Sequence, residues 1–115
     1  MNEVLHTGPL AEDPLDAAAD FHARLLPGIE MALGGGADPL TLAFPPAGHD
    51  HDAWRRAAVQ GLARRFAPSR VNAVATDDRA ALDAAAAWLE QAQAITGQYL
   101  QLDGTGAGPV LSLQG

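Results

Sequence analysis

The chain has no cysteine. That excludes disulfides and thiol catalysis and fits a reducing compartment. Aromatic residues are scarce at 5%, while alanine is abundant, so the helices are expected to pack closely through small side chains. Basic residues are few: 7 Lys and Arg face 14 Asp and Glu, a formal charge of −7. This balance disfavours nucleic acid or an anionic membrane as a partner, because both reward Lys/Arg patches. No apolar run approaches a membrane span, and the N-terminus has neither a basic n-region nor an apolar h-region. A soluble, cytoplasmic protein with no nucleic-acid and no membrane partner is expected. What remains is a globular composition, 48% hydrophobic and 18% charged over 115 residues, which suits one domain spanning 1–115.

Short apolar runs alternate with helical segments, the pattern of βαβ units and a parallel sheet. Residues 4–6 read as a short first strand, ended by Gly8-Pro9. Asp13 is a plausible N-cap with Pro14 at the first helical position. The helix carries Phe21, Leu25, Ile29 and Leu33 as one apolar stripe, Pro27 should kink it, and Gly34-Gly35-Gly36 closes it. Leu40–Phe44 is almost uniformly apolar and reads as a strand buried on both faces. A polar loop (48–52) leads into a second helix that runs to Phe66, with Trp54, Ala58, Leu62 and Phe66 as its expected inner face. Val71–Ala75 is the third strand. Thr76 is the expected cap of a third helix whose core face is Leu82, Ala85, Ala86 and Leu89. Residues 99–102 form the last strand, followed by a turn at Asp103-Gly104 and an apolar tail at 109–113. The expected fold is an α/β three-layer sandwich: a four-stranded, mainly parallel sheet with about three helices. Two of those helices are expected on one face and the third on the other.

Several phrases resemble the later part of a short-chain dehydrogenase/reductase domain. GLARRFAPSRVNAVA (61–75) and ITGQYLQLDGTG (95–106) are the strongest. Leu5-His6-Thr7-Gly8 stands where that family has a strand ending in NNAG. Leu25-Leu26-Pro27 with Met31 is similar to its "LLPxM" helix. Leu40–Phe44 with Gly48 resembles the strand and loop that carry the catalytic serine, and Ala57 to Leu62 the stretch after its YxxxK motif. The resemblance implies a partial Rossmann-type fold lacking the N-terminal dinucleotide-binding half, since the glycine-rich motif would fall upstream of the first residue. It also implies lost chemistry. The family's tyrosine falls on Asp52, its lysine on Arg56 and its serine on Pro45. Aspartate, ionised at neutral pH, has no proton to give a carbonyl oxygen. No catalytic, cofactor-binding or metal-binding residue, and no cofactor, is therefore expected.

Local clusters admit sharper readings. His49-Asp50-His51-Asp52 offers metal-ligand chemistry, but lacks the spacing of a closed site and reads more simply as a solvated loop whose aspartates cap the second helix. His6 reads as a strand-end histidine held by a backbone carbonyl, His22 as a polar-side helix residue. Arg55, Arg56, Arg64 and Arg65 are expected to meet the chain's own carboxylates or water, with Asp52 and Arg56 as an i,i+4 pair. Asn72, polar within a strand, is expected to hydrogen-bond a neighbouring loop. Functionally, these features favour a non-catalytic scaffold. It would be a homodimer or higher oligomer built on the first two helices, or a subunit docked on a full-length relative. The alternative is a ligand binder, or an enzyme with altered chemistry, working from the crevice beyond the strand ends with His6, His49, His51, Asp52 and Arg56.

Overall fold

The two most apolar segments, Leu40–Phe44 and Val71–Ala75, set the architecture. In the computed structural model, which describes residues 1–102, they are β2 and β3, and every residue of both is buried. They form the centre of a parallel sheet ordered β1-β2-β3-β4, with β1 at Glu3–His6 and β4 at Tyr99–Gln101. The expected turn at Asp103-Gly104 and the tail at 109–113 lie outside the described residues.

Parallel strands joined by crossovers need cover on both faces. Side chains alternate across the sheet, so Leu40, Leu42 and Phe44 of β2 join Val71, Ala73 and Ala75 of β3 in one core cluster. That face is covered by the first helical segment and by α3 (Asp52–Arg65), through Phe21, Ile29, Val59 and Leu62. Ala43 and Val74 point the other way, against Leu82 and Leu89 of α4 (Arg79–Gln91). All three crossovers step in the same direction across the sheet, yet the third passes over the opposite face. Its hand is therefore opposite to that of the first two.

The first helical segment is continuous but not uniform: α1 (Pro14–Asp20), a π-helical turn (Phe21–Leu25) and α2 (Leu26–Gly34). Asp13 caps it, its carboxylate accepting from Asp16 N–H at 3.0 Å. The distortion at Pro27 takes the form of that π turn, in which Leu26 N–H donates to Phe21 O, five residues back. The helix so keeps Phe21, Leu25, Ile29 and Leu33 on one buried face. Gly36, at φ +102°, provides the left-handed exit.

Two sequence expectations need correction. Thr76 does not cap α4; its hydroxyl accepts from Asp78 N–H, and Asp78 is the cap, accepting from Ala80 and Ala81 N–H. The inner face of α3 is turned by one residue. Arg55, Val59, Leu62 and Ala63 are buried, while Trp54, Ala58 and Phe66 are only partly so. The apolar stripe of the first helix is spent on the chain's own core. Large exposed apolar side chains among the described residues are Met1, Val4, Leu15 and Met31.

Asn72 behaves as its sequence context suggested. Fully buried, it donates to Ile95 O and accepts from Gln98 N–H, fixing the approach to β4. At the opposite end of the sheet from the crevice, Asp38 accepts from both the backbone N–H and Nε of Arg70. Arg70 also reaches the last carbonyls around α4, Leu89 O and Ala92 O. β1 forms a sheet edge. Glu3 and Thr7 donate inward to Pro39 O and Ala43 O, so the amides of Val4 and His6 between them face the open side. No helix among the described residues is long and apolar enough to cross a membrane.

The backbone hydrogen bond from Arg70 holds the Asp38 carboxyl below its ordinary value; partial burial opposes this, and the side-chain bond and charge of Arg70 reinforce it. A lowered carboxyl stabilises the fold above its unfolded-state value and loses that contribution as pH falls through its folded-state value. Asp38→Asn keeps an acceptor and removes the charge. It should cost about 0.5–1 kcal/mol at neutral pH, the range of a partly exposed pair. In urea melts across pH, the gap to wild type should close as pH falls through the lowered folded-state value of this carboxyl.

Candidate functional site

All four strands are parallel, so their carboxyl ends open on one side. This is the crevice where open α/β sheets place ligands. Pro45-Pro46, just past β2, borders two cavities there. The first, about 410 Å³, lies toward α4 and is lined by His6, Gly8, Phe44, Thr76, Arg79 and Leu82 among others. The second, about 340 Å³, lies between the β1–α1 loop and the β2–α3 loop, with Leu10, Gly48, His51 and Arg55 in its wall.

The residues singled out in the sequence do not converge. His6 is exposed on the rim of the first cavity, and its ring makes no hydrogen bond to a backbone carbonyl among the described residues, contrary to expectation. His22 is exposed on its helix. His49 is fully exposed, 3.4 Å from Asp52 Oδ2. His51, on the same short 3-10 turn (His49–His51), is buried. Its Nδ1 accepts from Trp54 Nε1–H at 3.0 Å, so Nε2 carries the proton and donates to Glu12 O at 2.9 Å. Both ring nitrogens are thus engaged in the protein. Among the described residues no three His, Asp or Glu side chains come together as a metal would need. Neither Asp50 nor Asp52 caps α3 through its side chain. Asp52 accepts from Gln101 Nε2 at 2.7 Å and lies beside His49, rather than pairing with Arg56. Arg56 is exposed, its guanidinium 5.6 Å from the Tyr99 ring centroid.

The side chain that sequence reasoning missed is Arg55. Expected to meet a carboxylate or water, it is 1% exposed, the largest fully buried side chain among the described residues. Nη1 donates to Pro45 O at 2.9 Å and to Tyr99 Oη at 3.1 Å. Cζ lies 4.5 Å above the Phe44 ring, a cation–π contact strengthened by exclusion of water. Phe21, Phe44, Trp54 and Tyr99 form the surrounding aromatic cluster, with successive centroids 5.6–6.1 Å apart. That gathers most of the aromatic surface of an aromatic-poor chain around one cation. Nε is buried with no acceptor, and no carboxylate lies within ion-pair reach of Arg55 among the described residues. The one sequence signal for this was the spacing His51, Arg55, Val59, Leu62, which fits a buried helical face as well as the apolar reading one residue earlier. Arg65, by contrast, pairs as expected, with Glu30 at 2.6 Å.

A family model described as "Short chain dehydrogenase-like protein" (SDR-like) matches residues 5–102. The chain belongs to the SDR-like family. No curated protein and no solved structure matches it. In this SDR-like chain the positions that resemble the family's tyrosine, lysine and serine hold Asp52, Arg56 and Pro45. Asp52 is tied to Gln101, Arg56 is exposed, and Pro45 offers the crevice only a carbonyl, already taken by Arg55. The buried cation stands one residue before the lysine position.

Trp54→Phe keeps an aromatic side chain, smaller than indole, and removes the indole N–H, leaving His51 Nδ1 without its donor. It should lower stability by about 1–2 kcal/mol, read from denaturant melts.

Proposed function

We propose that this SDR-like chain is a catalytically inactive domain that serves as an oligomerisation or partner-binding subunit. The observation that carries the proposal is Pro45 at the serine position, with its carbonyl committed to Arg55, and Asp52 at the tyrosine position, bound to Gln101. No group at these three positions can hold a proton for a carbonyl oxygen in the way the family's chemistry requires. The association surface is the outward side of the first helical segment, where Leu15 and Met31 are exposed, and of α3, together with the open edge of β1. The partner is a second copy of the chain or a full-length relative, and the setting is the cytoplasm, as the cysteine-free, acidic composition favours.

A second reading rests on the two cavities at the strand ends: a small-ligand binder that uses the crevice without hydride chemistry.

Isothermal titration calorimetry with reduced and oxidised nicotinamide dinucleotides should give no heat. Sedimentation at micromolar concentration should give at least the mass of a dimer. Saturable heat with either nucleotide would remove the inactive-domain reading, and a monomer would remove a second copy of the chain as the partner.

A further inference from the structure

The cavity of about 410 Å³ beyond β1, β2 and β3 has a mainly apolar wall, supplied by Pro9, Ala43, Pro45, Pro46 and Leu82. Its size is that of a small-molecule pocket, and such a wall favours an apolar body. The polar group of a ligand is selected by the donors and acceptors that the wall leaves unused. Few donors remain. Pro9, Pro45 and Pro46 have no N–H, and Thr76 N–H donates to Phe44 O. A helix start such as that of α4 could otherwise hold an anion, but here the chain's own carboxylate fills the place. Asp78 Oδ1 accepts from Ala80 and Ala81 N–H, Asp78 N–H donates to Thr76 Oγ1, and Leu82 N–H donates to Asp78 O. The Arg79 guanidinium is paired with Asp83, one turn further along α4, at 3.3 Å. Acceptors, in contrast, are left over. Asp77 lines the cavity and is exposed, and its carboxylate makes no hydrogen bond or ion pair among the described residues. His6 at the rim offers a further acceptor in its neutral form.

We propose that this cavity binds a small protonated amine with an apolar body, the body against the proline-lined wall and the ammonium at the Asp77 carboxylate. An ionised carboxylate only accepts hydrogen bonds, and an ammonium only donates them. A neutral or anionic group of the same shape gives Asp77 less or repels it. The formal charge of −7 adds a longer-range attraction for cations. The proposal rests on the ligand-binding reading of the crevice, whose ligand class it names, and is independent of the partner-binding one.

The test is an NMR titration of the ¹⁵N-labelled full chain with three probes that share an indole ring: tryptamine, a cation; tryptophol, neutral; and indole-3-propionate, an anion. The amides of Gly8, Thr76 and Asp77 report on the cavity, and that of Gly36, at the other end of the sheet, is the reference. Tryptamine should shift the first three saturably and leave Gly36 unchanged. Tryptophol should bind at least about threefold more weakly, the scale of a partly exposed charge pair, and indole-3-propionate more weakly still. The tryptamine preference should shrink in high salt. Asp77→Asn removes a charge that is exposed and does not cap α4, so the variant should fold as wild type does. It should lose the preference for tryptamine and keep its tryptophol affinity. The proposal is overturned if tryptamine binds no more tightly than tryptophol, if indole-3-propionate binds most tightly, or if Asp77→Asn keeps the preference. Saturable shifts confined to Leu10, Gly48 and His51 would also overturn it. Equal binding of tryptamine and tryptophol would leave the cavity as a ligand site while removing the amine. No saturable shift with any of the three would remove both the amine and this cavity's part in the ligand-binding reading.

Discussion

The constraint on which the rest of the structure depends is the burial of β2 and β3 on both faces. Short parallel strands of Leu, Val, Ala and Phe hold together only when helices cover each side. With β1 and β4 as the outer strands, the first helical segment and α3 must share one face and α4 must take the other. That requirement prevails over crossover hand: the third connection is of opposite hand to the first two, an arrangement the general preference disfavours. Packing on the second face supplies the compensation, with Leu82 and Leu89 set against Val74 and Ala43. Arg70 ties the base of this layering together, joining the entry to β2 at Asp38 with the end of α4.

The same layering creates the crevice and decides what stands in it. α3 lies over Phe44 with Arg55 facing inward, so a guanidinium occupies space that an apolar side chain would otherwise fill. Tyr99 arrives from β4 to give that guanidinium an acceptor, and Pro45 gives it a carbonyl. Residues at positions resembling a catalytic set have thereby become structural or solvent-facing: Pro45 anchors Arg55, Asp52 holds Gln101, and Arg56 lies outside.

Much of the fold was legible because it rests on local patterns. The doubly buried strands announce themselves as unbroken apolar runs, Asp13-Pro14 marks a helix start by cap chemistry, and Asn72 stood out as a polar residue in a strand, where only a hydrogen bond to a loop makes it tolerable. Where local cues were nearly degenerate, reading them failed. Thr76 and Asp78 are both good caps two residues apart, and the choice between them depends on how the chain leaves β3. The faces led by Trp54 and by Arg55 differ by one residue in phase. Favouring apolar side chains selected the wrong one, because the rule that arginine stays in water ignores aromatic rings and carbonyls delivered from elsewhere in the chain.

By itself the sequence determined the α/β order of elements, the two central strands, most helix limits and the family to which the chain belongs. Each of these depends on neighbours within a turn or a strand length, or on phrases read directly. Only the tertiary structure decided which arginine is buried, that His51 is committed at both nitrogens, and that the strand ends open into two cavities. The physical reason is separation along the chain. Arg55 meets Tyr99 across 44 residues and His51 meets Glu12 across 39, and such contacts exist only once β2, β3 and β4 have been laid side by side.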